Sequence, residues 1–237
     1  MSRSCAIVQP NYIPWKGYFD LINCVDHFVL YDTVQYTKGD WRNRNQLKTS
    51  EGPKWLTLPV SKKAHRLDIA KVGVLNEPWK KKHPESWKTH YANSEHADEM
   101  LPEICQWYEN CSHSSLLSIC RYFIELIAQF LSIETPIHLA SEFRMRNERN
   151  QRLIDICQSL GCTKYVSGPA AKNYLEVQAF EGAGIEVEWF DYSGYLEYPQ
   201  PHPPFVHQIS VLDLLLCTGL KAGNYLQRSA SQESQKV

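Results

Sequence analysis

The sequence lacks most of the signatures by which catalytic chemistry is read. Its eight cysteines include no C-x-x-C pair and its nine histidines no H-E-x-x-H. Neither a thiolate zinc site nor a zincin helix is expected, and we assign no metal and no cofactor. There is no G-x-x-x-x-G-K-[ST] loop and no G-x-G-x-x-G turn, which excludes a Walker phosphate loop and the dinucleotide fingerprint. The G-x-S-x-G elbow of the α/β-hydrolases is missing too. No apolar run approaches the roughly 20 residues of a membrane span. Met1 to Cys5 lead straight into a strand-like run, so no secretory leader is expected. A cytoplasmic protein is expected, with no membrane partner and its cysteines held as free thiols.

What is present is ordinary in bulk and uneven in detail. A chain of 237 residues, 43% hydrophobic and 22% charged, has ample length to bury a core. The net charge of −1 conceals an asymmetry. Between Lys38 and Lys88 stand 13 Lys/Arg against 5 Asp/Glu, and from Glu95 to Asp213 only 7 against 17. A basic first half and an acidic second half point to a phosphate-bearing partner on one side.

Periodicity suggests alternating strands and helices. Residues 5–8 read as a buried strand ended by Pro10, residues 16–25 as a helix with an apolar face, and residues 27–31 as a second strand. Strand, helix, strand is a βαβ unit and favours a parallel sheet. Residues 55–60 read as another strand and 85–91 as a short helix. One buried helix is expected over about 101–131, then a helix at 147–160, a strand at 164–167, a helix at 173–183 and a strand at 185–190. The four prolines from Gly194 to Phe205 predict an extended loop before an apolar helix at about 209–219. The expected architecture is one Rossmann-like α/β domain over 1–226, with a mostly parallel sheet and flanking helices. A helical insertion is expected at about 78–131 and a disordered tail at 227–237.

Four segments carry candidate chemistry. Gln9, Asn11, Tyr12 and Trp15 lie in a proline-bracketed loop leaving the first strand, where open α/β sheets collect ligands. After the second strand come Asp32, Gln35, Tyr36, Lys38, Trp41, Arg42, Asn43 and Arg44. Asp32 is the candidate base, Gln9 and Asn11 the groups that orient the substrate, and Arg42 and Arg44 the candidate grip on phosphate. Ser167, Gly168 and Lys172 lie between a strand and a helix, where small residues let backbone amides approach an anion, although tight packing explains them equally. Tyr195, Tyr198 and His207 belong to the proline-rich loop, which suits either a lid over a ligand or a strap in a homodimer.

Together these segments resemble the WbqC-like family of bacteria. The resemblance rests on Val8-Gln9-Pro10-Asn11-Tyr12-Ile13-Pro14-Trp15-Lys16-Gly17-Tyr18-Phe19-Asp20, on Asp32 to Lys38, on Trp41-Arg42-Asn43-Arg44 and on Trp55 to Val60. Tyr165 to Lys172 and Asp191 to Tyr195 extend it, so that it covers roughly residues 5–225. Val8 stands where many members carry histidine before Gln-Pro, so a mechanism needing that histidine is not implied here. The resemblance implies a role in O-antigen or other surface-polysaccharide biosynthesis, with a nucleotide-linked sugar as partner. On that footing the expected activity is aminoacyl or acyl transfer to the amino group of a nucleotide-linked amino sugar, with aminoacyl-tRNA as one conceivable acyl donor. The competing expectation is a non-catalytic module that binds the nucleotide sugar or a partner enzyme.

Overall fold

The structure, a computed structural model, describes residues 3–76 and 78–227. Its centre is a five-stranded, wholly parallel sheet built from β1 (Ser4–Val8), β2 (His27–Leu30), β5 (Ile137–Leu139), β6 (Lys164–Ser167) and β7 (Glu186–Trp189). The order across the sheet is β5-β2-β1-β6-β7. The chain thus starts in the middle, grows to one edge and returns to grow to the other. That is a doubly wound α/β fold, with its switch point between β1 and β6. Parallel strands covered on both faces are buried along their middle, as in the SCAIV and HFVL runs of β1 and β2, while the edge strands β5 and β7 are half-buried or exposed.

Helix α1 (Lys16–Asn23) makes the first crossover, and α5 (Arg149–Ser159) and α6 (Val177–Gly182) serve the second half. One apolar cluster takes in Ala6, Phe28 and α1, and continues through α2 (Trp79–Tyr91), α3 (Ala97–Asn110), α4 (Leu116–Phe130) and α7 (Val211–Thr218). A smaller cluster on Cys5, Ile7 and Val29 is closed by Leu153, Ile154, Cys157 and Phe180.

Several boundaries differ from the sequence expectation. The single helix at 101–131 is two, because Ser115 accepts the Ser118 N–H at 3.1 Å and starts α4 afresh. Helix α2 begins at Trp79, so it carries Lys80–Lys82 that pattern alone left in a polar loop. Pro169 opens a 3-10 turn that runs to Asn173, and α6 starts only at Val177. The strand expected at 55–60 is β4 (Gly52–Thr57), outside the parallel sheet. It pairs antiparallel with β3 (Arg44–Thr49), a strand whose buried side chains include Asn45, Lys48 and Thr49 and which therefore has no apolar signature. The edge strand β5, three residues long, was also beyond the reach of periodicity. No described helix is long and apolar enough to cross a membrane. The tail expected at 227–237 lies outside the described residues apart from Gln227.

Candidate functional site

At the switch point the loops after β1 and β6 face each other. The loop after β1 bends sharply at Ile13, whose φ of 38° is unfavourable for a β-branched residue. Such strain costs on the order of 1–3 kcal/mol and persists only where surroundings hold it. Here the holder is Asn45, whose amide nitrogen donates to the carbonyls of Tyr12 at 3.2 Å and Ile13 at 2.8 Å. From the other side the Tyr12 hydroxyl lies 2.8 Å from His83 Nδ1 and 3.0 Å from the Tyr108 hydroxyl, which fixes the loop to α2 and α3. Burial pulls His83 down to about 4, so it is neutral at physiological pH.

Trp15 then folds back over the start of α1. A Cβ on Gly17 would stand 2.4 Å from the Trp15 ring, so only glycine permits this pose. Tyr192 packs against Trp15 at 5.3 Å between ring centroids and reaches Gly168, where a Cβ would meet its ring at 3.4 Å. An aromatic pair therefore occupies the crevice between β1 and β6, and the open space lies to the side of it.

That space is a cleft of about 160 Å³ lined by Asn11, Pro14, Trp15, Trp41, Asn45 and Gln208. Arg42, in the turn before β3, reaches back and donates to Asn11 Oδ1, which leaves the Asn11 amide nitrogen for an acceptor. Arg42 also pairs with Asp40 at 3.4 Å, its buried Nε has no partner among the described residues, and burial lowers its pKa. Arg44 takes another course: it donates to the Gly39 carbonyl, stacks 4.0 Å from the Trp55 ring and lines a second cleft of about 310 Å³. Tyr36, Lys38 and Asn43 line the same second cleft. Tyr36 donates to Asn43 at 2.8 Å, and Asn43 to the Leu58 carbonyl at 2.8 Å, so these two serve as its wall.

The remaining sequence candidates are placed elsewhere. Asp32 is fully buried; one carboxylate oxygen accepts the Ser141 N–H at 3.0 Å and the other has no partner among the described residues. It lines neither cleft. Gln9 gives its carbonyl to the Tyr18 hydroxyl at 3.2 Å, and Gln35 donates to the His65 carbonyl. Ser167 is buried, and Lys172 lies 5.6 Å over the Trp189 ring, so no described cleft gathers Arg42, Arg44 and Lys172 together.

The proline-rich segment is bonded to the core rather than poised above it. Tyr195 donates to Asp20 at 2.8 Å, and Tyr198 to Asp213 at 2.5 Å. Lys16 donates to the Leu196 carbonyl at 2.7 Å, among the rings of Tyr195, Tyr198 and Phe205, and burial pulls it down to about 8. Lys48 donates to Gln200 and to the Pro204 carbonyl. With both tyrosines nearly sealed, neither ring is free to stack on a ligand; His207 is exposed, 3.9 Å from Glu197. Gln208, just beyond, is the part of this segment that reaches the first cleft. Sequence reasoning missed Asn45 and Gln208, and the one available signal was the continuation of the Arg-Asn alternation into Asn45.

A WbqC-like protein family model matches residues 9–225, the stretch that holds both clefts. The chain belongs to the WbqC-like family. It is 38% identical over 226 residues to a protein of Mycobacterium tuberculosis (strain ATCC 25618 / H37Rv) that is described only as uncharacterized. The alignment spans 95% of this chain and 98% of that protein. No solved structure matches the chain.

Proposed function

We propose that this protein binds a nucleotide-linked amino sugar of surface-polysaccharide assembly, with the sugar ring in the cleft between Trp15 and Trp41. The lining of that cleft carries the reading. A sugar presents apolar C–H faces and a rim of hydroxyls, and the cleft offers two indole faces with the amides of Asn11 and Gln208. Its volume of about 160 Å³ is well below the roughly 300–1,000 Å³ of sites for drug-sized ligands, so it suits one ring and not a whole nucleotide sugar. Arg42, bonded to Asn11 of this lining though not itself part of it, is the group for an adjoining phosphate.

On this reading the reaction is aminoacyl or acyl transfer to the sugar's amino group. That step needs a base to take the proton of the attacking amine. Asp32 could serve only if the turn at Ser141 moved away from it, since its carboxylate has no exposure. The same observation favours the second reading, a binding module without turnover. Incubation with dTDP-4-amino-4,6-dideoxyglucose and aminoacyl, acyl-CoA or ATP-plus-amino-acid donors, read by mass spectrometry, separates the two. A mass shift abolished by Asp32→Asn, with sugar binding intact, supports the transferase. Binding without any mass shift leaves the module, and no binding at all removes the proposal.

A further inference from the structure

The basic charge between Lys38 and Lys88 is concentrated around the β3–β4 hairpin. Lys38, Arg44 and Lys62 line the cleft of about 310 Å³, and Lys54 and Lys82 line a neighbouring one of about 250 Å³. The two clefts share Thr57 and Pro59 as a common wall, and no described carboxylate lines either. None of the five cations forms an ion pair with a described carboxylate. Like charges gathered without counter-charges repel one another, and a bound anion relieves that repulsion.

Two further observations narrow the anion. Arg44 is oriented in advance: its guanidinium lies 4.0 Å from the Trp55 ring centroid, and its buried Nε has no hydrogen-bond partner among the described residues. A planar donor fork held by stacking is suited to phosphate oxygens. Trp55 is 38% exposed although it packs on Trp41 at 5.1 Å, so an indole surface remains open beside the cations. Exposed aromatic rings among cations are how proteins take up nucleobases next to phosphates.

We propose that the joined clefts are a second ligand site, for a phosphorylated nucleoside, with the phosphates on Lys38, Arg44 and Lys62 and the base against Trp55. The site shares no lining residue with the sugar cleft, and it stands or falls separately from the sugar reading. Phosphate next to a stackable base is common to free nucleotides and to the end of a nucleic acid strand, and the probes below distinguish these sources.

The test is calorimetry with ADP at low and physiological salt. Lys38→Glu with Lys62→Glu, both at exposed positions, should weaken ADP binding by about tenfold or more, as for the loss of charge-assisted contacts. A control of equal charge change away from the clefts, Lys88→Glu with Lys221→Glu, should leave affinity within about twofold. Trp55→Leu should weaken ADP more than pyrophosphate, because it removes the platform for the base as well as the stacking that holds Arg44. A short oligoadenylate that binds more tightly than ADP, with a steeper salt dependence, would identify a nucleic acid end as the source. Equal affinities would identify a free nucleotide. Absence of ADP binding at millimolar concentration, or equal loss in the control variant, would overturn the proposal. Amino-sugar binding measured on the lysine variants reports on the first cleft alone, whereas Trp55 packs on Trp41 of that cleft.

Discussion

Single residues at the first cleft are held in poses they would not adopt alone. Gly17 permits Trp15 to lie across the start of α1, where any Cβ would overlap the indole. Helix propensity favours alanine there by about 1 kcal/mol, so Gly17→Ala should keep the fold while displacing the ring. Amino-sugar affinity should fall about tenfold or more with little change in melting temperature; unchanged affinity would show that the Trp15 pose is irrelevant to binding. Asn45 bears on the same loop from below. Asn45→Ala leaves the carbonyls of Tyr12 and Ile13 without their donor and removes the restraint on a strained backbone. A loss of about 1–3 kcal/mol in denaturant unfolding is expected. A loss within a few tenths of a kcal/mol would mean that the loop holds itself.

At the level of elements, helices α2 and α3 brace the loop after β1 through a buried chain of aromatic hydroxyls and His83. Trp87 donates to the Tyr108 hydroxyl at 3.3 Å, and Tyr108 and His83 flank Tyr12. The His83 pKa sets a sign for acid stability. Its folded value is about 4, against about 6.5 for an unfolded histidine, so below pH 6.5 the unfolded chain gains a proton that the folded one refuses. Stability should fall from about pH 6.5 to about pH 4 by up to roughly 3 kcal/mol from this residue. His83→Gln should lose less over that range than the parent chain, and parallel stability curves would count against the assignment.

The proline-rich strap depends on α7 in the same way. Asp213 accepts from Tyr91 and Tyr198 at 2.5 Å each and from Gln200 at 2.8 Å, and burial pushes its own pKa up. Asp213→Ala leaves the buried Tyr91 and Tyr198 hydroxyls without their acceptor and takes one from the Gln200 amide. We expect a loss of about 3–5 kcal/mol and faster amide exchange in 195–206. Slow exchange there in the variant would show that the strap is held by packing alone.

Over the whole molecule, the main apolar cluster runs from the sheet through α1, the β3–β4 hairpin, α2, α3, α4 and α7 without a break. A segment that shares its core with the sheet cannot melt separately, because its apolar side chains would lose their partners. The helices at 79–130 are therefore expected to unfold together with the sheet, in one thermal transition seen alike by far-ultraviolet circular dichroism and tryptophan fluorescence. Two resolved transitions would make the helical region a separate folding unit. At this scale too the acidic second half makes sense: it lies apart in sequence from the clefts that concentrate the cations, and neither basic cleft has a described carboxylate in its wall.

The sequence by itself determined the parallel strands β1, β2, β6 and β7, the first crossover helix, and the loops that carry the amides, aromatics and arginines. Those features are local: strand and helix periods, prolines and glycines act over a few residues and leave their mark in composition. Tertiary structure alone decided what the polar groups do. Asp32 was legible as a carboxylate at a strand end, but its acceptance from Ser141, 109 positions away, is what seals it. Tyr195 and Tyr198 looked like open aromatic faces until Asp20 and Asp213 claimed their hydroxyls. Arg42 and Arg44, two residues apart, part company because one lies in a turn and bonds Asn11 while the other begins β3 beside Trp55 and lines the second cleft. Strand β3 itself escaped the pattern because its buried positions hold Asn45 and Lys48, satisfied by the carbonyls of Tyr12, Ile13 and Pro204. A buried polar side chain is stable only with a partner, and when that partner is distant in sequence no local pattern records it.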